Sequence, residues 1–401
     1  MEDAMHAIVM LQKWAGQALP DIHLMRLNTL FVAVEGLLRG QQLYLSAVGR
    51  NLRSQTSEKH GIKRIDRLLG NHRLAHEREV LYGWLSRLIL GGCRHPNIIV
   101  DFSDVDAART RFILRAAVAV GGRALPVYEQ VLRRNNHPAD TRRFLTQLAR
   151  LLPNDCIPII VTDAGFRRPW FKAVEALGWY YVGRVRNREL VRFPDTEAWV
   201  PAKSLYAQAS ARPRDVGALW LARSAPWPTN AYLYRKHAKG RKRLTVQGVP
   251  QRNSVSLKHA KREREPWLLV SNLPTQRNIA KRVVAIYRER MSIELSFRDL
   301  KAHRHGFAFR QNLGRHPERL ANLLLIAAIA MTATWLIGLV GIERGIARTL
   351  QANTETRRKV LSIFFVGRRL LLKNVQLSHI QLRTALQRLH HNVQHYAFEL
   401  S

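Results

Sequence analysis

The pattern of apolar positions changes near Pro96. Before it, apolar residues recur at helical spacing, and the segments 29–38 and 41–50 flank the glycine of Arg39–Gly40. Such spacing predicts short helices separated by a glycine turn. After Pro96 the apolar residues come in short runs bounded by Gly, Pro and Asp. The pattern therefore predicts a helical N-terminal region followed by an α/β region.

The runs after Pro96 predict a defined order of elements. Three strands are expected at 97–104, 111–120 and 124–132, with the last two joined by a Gly121–Gly122 hairpin turn. A helix near 141–152, a strand at 156–165, a helix at 170–177 and a strand at 179–185 follow. Three antiparallel strands, a helix and a parallel strand are the opening of an RNase H-like α/β fold.

The remainder of the chain divides by composition. Strand-like pieces at 218–222 and 267–271 lie among basic loops and indicate a mainly β insertion. The basic segment from Ile346 onward is predicted to be helical. The expected organisation is a helical N-terminal domain at 1–95, an RNase H-like core in two parts at 96–189 and 276–345, the β-rich insertion between them at 190–275, and a helical C-terminal region at 346–401.

One apolar segment is long enough to cross a membrane. Leu320–Ile342 contains 23 residues without a formal charge, but Asn322, Thr332 and Thr334 interrupt it. We interpret it as the buried helix of a large α/β core, with a membrane protein as the alternative. No membrane partner is expected.

Charge defines the class of partner. The chain has 65 Lys and Arg against 29 Asp and Glu, a net charge of +36, and 46% hydrophobic residues. A folded protein with this excess favours a polyanion, and nucleic acid is the expected partner. Cys93 and Cys156 have neither metal-ligand spacing nor a disulfide pattern, and the N-terminus does not resemble a signal peptide. A cytoplasmic location is therefore expected.

A basic patch in the helical N-terminal region is the first candidate DNA surface. Its cations are Lys63, Arg64, Arg67 and Arg73. Helices around a turn, combined with this charge, suggest a helix-turn-helix-like module. An ordinary helical bundle with a solvated basic face is the alternative.

The segment 287–301 carries the most informative pattern. Wound as one α-helix, it places Tyr287, Arg290, Glu294 and Lys301 in a sector of roughly 60°, with Arg298 beside them. A carboxylate can hold a metal ion, and Arg and Lys can hold phosphates, so this face suggests chemistry on a nucleic-acid backbone. A surface ion pair around Glu294 is the ordinary alternative.

Two aspartates follow predicted strands and could join that glutamate. Asp101 follows the first apolar run and Asp163 the fourth. With Glu294 they predict a three-carboxylate site for two Mg²⁺ ions, which prefer oxygen ligands. Asp104 and Asp106 compete with Asp101, which we prefer because the apolar run stops there. Turn or cap residues are the ordinary reading of each aspartate alone.

The spacing Tyr-x2-Arg-x3-Glu-x6-Lys resembles the YREK signature of bacterial insertion-sequence DDE transposases. Asp101-Phe-Ser-Asp and Asp163-Ala-Gly-Phe resemble the two aspartate motifs of that family. The resemblance implies a retroviral-integrase-like core, Mg²⁺ with Mn²⁺ as a substitute, and cut-and-paste transposition through nicking, hairpin formation, hairpin resolution and strand transfer. It also implies a dimer that binds terminal inverted repeats and target DNA.

The same resemblance implies roles for other residues. Tyr287, Arg290 and Lys301 would contact phosphates near the scissile bond. Trp267 and Met291 would handle a flipped base. Weaker candidates for the DNA surface are Arg167, Arg168 and Trp170. Another RNase H-fold nuclease, such as a junction resolvase, and a catalytically silent DNA-binding derivative remain as alternatives.

Overall fold

The computed structural model describes the chain outside residues 1–4, 188, 238–248, 252, 255–256, 258–263, 356–357, 359 and 399–401, so parts of the predicted insertion and C-terminal region lie outside the described residues. The chain forms two compact units. The first unit comprises Met1–Pro158 and Met291–Glu399, and the second unit is Ile159–Arg290. The five-segment organisation expected from composition stays a prediction.

The described strands lie between Asn97 and Ser271, and helices make up most of the described chain on either side of them. The α-helices are α1 His6–Ala18, α2 Leu24–Gly40, α3 Leu45–Arg50, α4 Glu58–Leu69, α5 His72–Leu90, α6 Pro138–Leu151, α7 Arg168–Glu175, α8 Ile279–Arg288, α9 Met291–Lys301, α10 Pro317–Glu343, α11 Ile346–Thr349, α12 Ile363–Leu372 and α13 His379–Tyr396. The strands are β1 Asn97–Asp104, β2 Phe112–Ala119, β3 Ala124–Leu132, β4 Ile159–Thr162, β5 Tyr180–Val185, β6 Leu190–Arg192, β7 Val200–Pro201, β8 Arg214–Leu221, β9 Trp227–Tyr234 and β10 Trp267–Ser271. Ala202–Gln208 and Phe309–Gln311 are 3₁₀ turns.

The N-terminal helices of the first unit differ in detail from the predicted pair. Helix α2 continues through Gly40, and the left-handed residue that ends it is Gln41, with φ 54°. The Gln41 amide stabilises this turn by donating to the carbonyl of Leu38 and accepting from Arg368. Helices α3 and α4 cross at Gly49 and Gly61, where a Cβ on either residue would overlap the facing backbone. The turn predicted at Gly40 is therefore wrong by one residue.

The first three strands form an antiparallel arrangement in the order β3-β2-β1. Gly121 and Gly122 both have positive φ, which confirms the predicted hairpin turn. In β1 the first four residues are buried, and burial becomes partial from Asp101 to Asp104. The predicted strand at 97–104 is confirmed, because the backbone pairing continues to Asp104, and the predicted end of its apolar run at Asp101 coincides with the point where burial becomes partial.

Helix α10 occupies the centre of the first unit. It is the one described helix that is long and apolar enough to cross a membrane, and its most apolar window is fully buried by the chain itself. It packs against α2, α5, β3, α12 and α13. The hydroxyls of Thr332 and Thr334 donate to helix carbonyls four residues earlier, and Asn322 donates to the carbonyl of Leu69. The predicted buried core helix is confirmed.

The second unit contains the strand order β4-β5-β10-β9-β8-β6-β7. Strands β4 and β5 are parallel, and the other pairs are antiparallel. Five of these strands lie between Leu190 and Ser271, where the mainly β insertion was predicted. The chain therefore has a mixed α/β fold with a helical N-terminal region.

Candidate active site

The predicted single helix from Tyr287 to Lys301 is interrupted. Helix α8 ends at Arg288 and α9 begins at Met291. Between them the backbone N–H groups of Glu289 and Arg290 donate to carbonyls three residues earlier, as in a 3₁₀ turn. Neither glycine nor proline marks this break in the sequence. The predicted single helix is therefore wrong, since Tyr287 lies before the break and Glu294 and Lys301 lie after it.

Helix α9 exposes one face and buries the other. Met291, Glu294 and Arg298, at helical spacing, are exposed. Lys301 is only 8% exposed and donates to the Ser103 hydroxyl at 2.6 Å and to the Asp104 carbonyl. Burial lowers the pKa of Lys301 to about 8, and repulsion from Arg115 and Arg310 acts in the same direction. Lys301 therefore ties α9 to the end of β1.

Glu294 and Asp101 line the same cleft in the first unit. This cleft, which we call the acidic cleft, has a volume of about 690 Å³. Asp104 and Asp106 also line it, together with Phe297, Arg298, Lys301 and Arg310. The pairing of Asp101 with the glutamate was predicted from sequence, and both residues do reach one cavity.

The three aspartates of the acidic cleft each contact a nearby residue in the sequence. Asp106 accepts the backbone N–H of Thr110 at 3.2 Å and its hydroxyl at 2.9 Å, and these bonds hold the Asp106 pKa below its usual range. Asp104 pairs with Arg109 at 3.2 Å. Asp101 accepts the N–H of Phe102 at 2.8 Å. All three aspartates therefore have local partners, and the preference for Asp101 stays a prediction.

Asp163 lies in the second unit, directly after β4. Its Oδ1 accepts the N–H of Gly165 at 2.7 Å. It lines a cleft of about 630 Å³, here called the basic cleft, whose cations are Arg167, Arg168, Arg184, Arg186 and Lys203. The Nε of Arg186 donates to the Glu265 carboxylate at 2.8 Å, and Arg184 forms an ion pair with the same carboxylate at 3.6 Å. The position of Asp163 relative to Asp101 and Glu294 stays a prediction.

Aromatic side chains of the second unit surround Trp267. Its ring lies 4.9 Å from Tyr287 in an edge-to-face contact and 5.6 Å from Tyr234. Lys236 lies 5.8 Å above the Trp267 ring, and Arg288 lies 5.0 Å above the Tyr234 ring. Tyr287 is only 4% exposed, whereas Trp267 is half-buried. This aromatic cluster leaves Trp267 accessible and uses Tyr287 as its support.

The other predicted DNA-binding residues separate into two groups. Lys63, Arg64 and Arg67 are exposed on α4 and line one groove of about 640 Å³. Arg73 is exposed on α5 and does not line that groove. Trp170 is buried against Phe166, with ring centroids 4.7 Å apart, so it belongs to the core of the second unit.

A comparison with protein families matches residues 93–332 to the transposase DDE domain, more than half of the chain. The chain belongs to the DDE transposase family. The match covers both clefts and the aromatic cluster. A comparison with curated proteins found no match to the chain. DDE transposases are catalytic phosphoryl-transfer enzymes, so this chain is an enzyme of DNA transposition.

DDE transposases generally use divalent metal ions, and the acidic cleft has the donor chemistry for them. Asp101 and Glu294 offer carboxylate oxygens, and Mg²⁺ is commonly held by one or two carboxylates together with substrate phosphates. In the described part of the chain, no group of three or more His, Cys, Asp or Glu side chains could hold a metal ion. Cys93 and Cys156 are buried free thiols. The donor type therefore fits a divalent metal ion in this transposase, with Asp101 and Glu294 among the carboxylates of the acidic cleft.

Two charged residues behind the acidic cleft were missed by the sequence interpretation. Arg115 on β2 and Glu129 on β3 are buried and form an ion pair. Each is the only charged residue in its strand, in FILRAAVA and ALPVYEQVL. A lone charge in an apolar strand, matched by an opposite charge in the next strand, was the signal that could have found them.

Proposed function

We propose that this transposase moves an insertion sequence by a cut-and-paste route and belongs to the insertion-sequence group with the YREK signature. Within that group it resembles the transposase of the bacterial tetracycline-resistance composite transposon. One observation carries the proposal: Asp101 and Glu294, far apart in sequence, line one cleft in a chain with a DDE domain.

The proposed catalytic residues are Asp101, Asp163 and Glu294, whose carboxylates would hold two Mg²⁺ ions, with Mn²⁺ as a substitute. When bound, the metal pair would lower the pKa of a water or a 3′-hydroxyl and stabilise the leaving oxygen. The fixed N–H bonds to Asp101 and Asp163 keep each carboxylate oriented. Because the metal would supply the activated nucleophile, no protein base is required.

The proposed reaction is a series of phosphodiester exchanges at the ends of the element. Water cleaves one strand and leaves a 3′-hydroxyl, which attacks the opposite strand and forms a hairpin. A second water opens the hairpin, and the 3′-ends then attack target DNA. Each step breaks one P–O bond and forms one, so no external energy source is needed. Trp267, supported by Tyr287, would stack on a base displaced at the hairpin, and exposed Met291 would lie beside that base.

DNA would be held by basic surfaces in both units. Lys63, Arg64 and Arg67 would bind the terminal inverted repeat at the N-terminal groove, and Arg73 would contact it at the edge of that surface. Near the scissile bond the phosphate contacts would come from Arg290 and Arg298, whereas Tyr287 and Lys301, which are buried, would support Trp267 and α9. A homodimer on two paired ends, working in the bacterial cytoplasm at the nucleoid, completes the proposal.

The test is cleavage of element-end DNA, resolved on a denaturing gel, with and without Mg²⁺. The wild type should give Mg²⁺-dependent nicks and hairpins, whereas Glu294→Gln and Asp163→Asn should bind the end and leave it intact. Glu343→Gln, which alters a surface ion pair with Arg388, is the matched control and should cleave normally. Wild-type nicking by Glu294→Gln would overturn the proposed site.

Two other results identify the alternatives. Nicks without hairpins or strand transfer would indicate a different RNase H-fold nuclease. Specific binding to the end without any cleavage, by the wild type and both variants alike, would indicate a silent DNA-binding derivative.

A further inference from the structure

A charged pair lies inside the first unit behind the acidic cleft. The Nε of Arg115 donates to Oε1 of Glu129 at 2.8 Å, and Nη2 lies 2.7 Å from the same oxygen. Neither side chain is exposed. The hydroxyl of Tyr82 donates to the other oxygen of Glu129 at 3.4 Å. Burial raises the pKa of Glu129, and the Arg115 charge opposes that rise.

The strand register relates this pair to the acidic cleft. Asp101 is directly opposite Arg115, and Arg115 is directly opposite Glu129. Side chains directly opposite each other on antiparallel strands lie on the same face of a sheet. The three charged residues therefore form one row across β1, β2 and β3, on the face that carries Asp101.

Helix α9 contacts this row of charged residues through Arg115. The Nη1 of Arg115 donates to the hydroxyl of Ser296 at 2.9 Å, and its guanidinium lies 4.3 Å above the ring of Phe297. Both contacts are within three residues of Glu294. The guanidinium of Arg115 thus contacts α9, the helix that carries Glu294, and Arg115 pairs in register with Asp101. The Glu129 carboxylate fixes the orientation of this guanidinium.

Stability alone does not account for such a pair. Removing two charges from water is unfavourable, and apolar residues of similar volume often serve a core as well or better. What apolar residues cannot supply is a hydrogen bond of fixed direction to Ser296. A buried guanidinium fork can define the height and rotation of a helix above a sheet.

We infer that Arg115 and Glu129 are positioning residues that set the distance between the carboxylates of Asp101 and Glu294. This inference rests on the proposed function, in which those two carboxylates hold metal. Arg115 acts through Ser296 and Phe297, and Glu129 acts through Arg115. Neither touches DNA or the reacting atoms.

The test replaces the pair by apolar residues, as Arg115→Met with Glu129→Leu. The double variant should keep its thermal unfolding midpoint within a few degrees and bind end DNA as the wild type does. Its Mn²⁺ affinity without DNA, measured by electron paramagnetic resonance, should fall by about 10- to 100-fold, the usual effect of losing an outer-shell partner. Nicking at fixed Mg²⁺ should fall with it and recover partly at high Mg²⁺.

The variant Ser296→Ala keeps the ion pair and removes only its bond to α9, so it tests the inference if the double variant does not fold. It should weaken Mn²⁺ binding in the same direction, by several-fold. Arg78→Met is the matched control, because Arg78 is a partly buried arginine that bridges to Asn322 and Glu318 without touching α9. That control should lose stability and keep its Mn²⁺ affinity.

Wild-type Mn²⁺ affinity and nicking in the folded double variant, or in Ser296→Ala if the double variant does not fold, would overturn the inference and leave the pair as a packing feature. Failure of the proposed function would look different. In that case Asp101→Asn and Glu294→Gln would themselves nick DNA like the wild type.

Discussion

The acidic cleft and the basic cleft each contain proposed catalytic carboxylates, but their cations are arranged differently. In the acidic cleft Lys301 is buried and donates to Ser103 and Asp104, while Arg298 is exposed. In the basic cleft Arg167 is exposed, and Glu265 occupies Arg186. The acidic cleft has four carboxylates and three cations, whereas the basic cleft has five cations around Asp163 and Glu189.

This difference suggests a division of roles between the two units. A cleft in which carboxylates outnumber cations favours a metal ion. A cleft with solvent-facing arginines around one aspartate suits the phosphates of a DNA strand. Substitutions in each cleft can test whether metal binding depends on the acidic cleft and DNA binding on the basic cleft.

The largest effect is expected at Asp101. Asp101→Asn should reduce nicking by at least about 100-fold, more than loss of an outer-shell partner usually does, and should abolish Mn²⁺ binding to the acidic cleft. Asp106→Asn is the matched control and should nick within about twofold of the wild type, because Asp106 serves the Thr110 turn. A larger loss in Asp106→Asn than in Asp101→Asn would reverse the assignment of these two residues.

The buried lysine of the acidic cleft predicts a pH-dependent stability. Its folded pKa, about 8, is below the ordinary value of 10.5. Between those pH values the unfolded chain binds a proton that the folded chain does not, so folding becomes more favourable as pH rises. The wild type should therefore gain up to about 3 kcal/mol of unfolding free energy relative to Lys301→Met between pH 8 and 10.5. Urea unfolding of both proteins across that range measures it, and a constant difference would contradict the burial of a charged Lys301.

A smaller effect is expected at the aromatic cluster of the second unit. Trp267→Ala should nick within about twofold of the wild type but form roughly tenfold less hairpin, the loss expected from removing one base-stacking contact. Quantifying both products from one gel lane makes nicking the internal reference. Equal losses of nicks and hairpins would instead assign Trp267 to the packing of Tyr234 and Tyr287.

The smallest effect is expected for Arg167 and Arg168 of the basic cleft. Arg167→Ala with Arg168→Ala should reduce the slope of log affinity against log salt by about 2 for DNA binding, because each arginine would no longer neutralise one phosphate. Mn²⁺ binding to the acidic cleft should not change. A drop in Mn²⁺ affinity with an unchanged salt slope would remove the distinction between the clefts.

Sequence patterns predicted the helices and strands better than the connections between them. Strands β1 to β5 and the buried helix α10 were found because short apolar runs and a long uncharged stretch depend on local composition. The break between α8 and α9 was missed, since no glycine or proline marks it. The exposure of Glu294 and burial of Lys301 on one helix depend on what packs against it.

The Arg115–Glu129 pair also depends on tertiary structure that local sequence patterns do not contain. Either residue alone in an apolar strand resembles an isolated surface charge. Only the register of β2 against β3 brings them together, and register is set by tertiary packing and turn geometry. The family motifs indicated which carboxylates to examine but not which residues hold them apart.

The most direct test of the central claim is an anomalous difference map from crystals of the transposase bound to its end DNA and grown in Mn²⁺. The account predicts Mn²⁺ peaks coordinated by Asp101, Asp163 and Glu294 next to a DNA phosphate. Mn²⁺ bound to Asp104 and Asp106 instead, or Asp163 lying away from any metal, would contradict it.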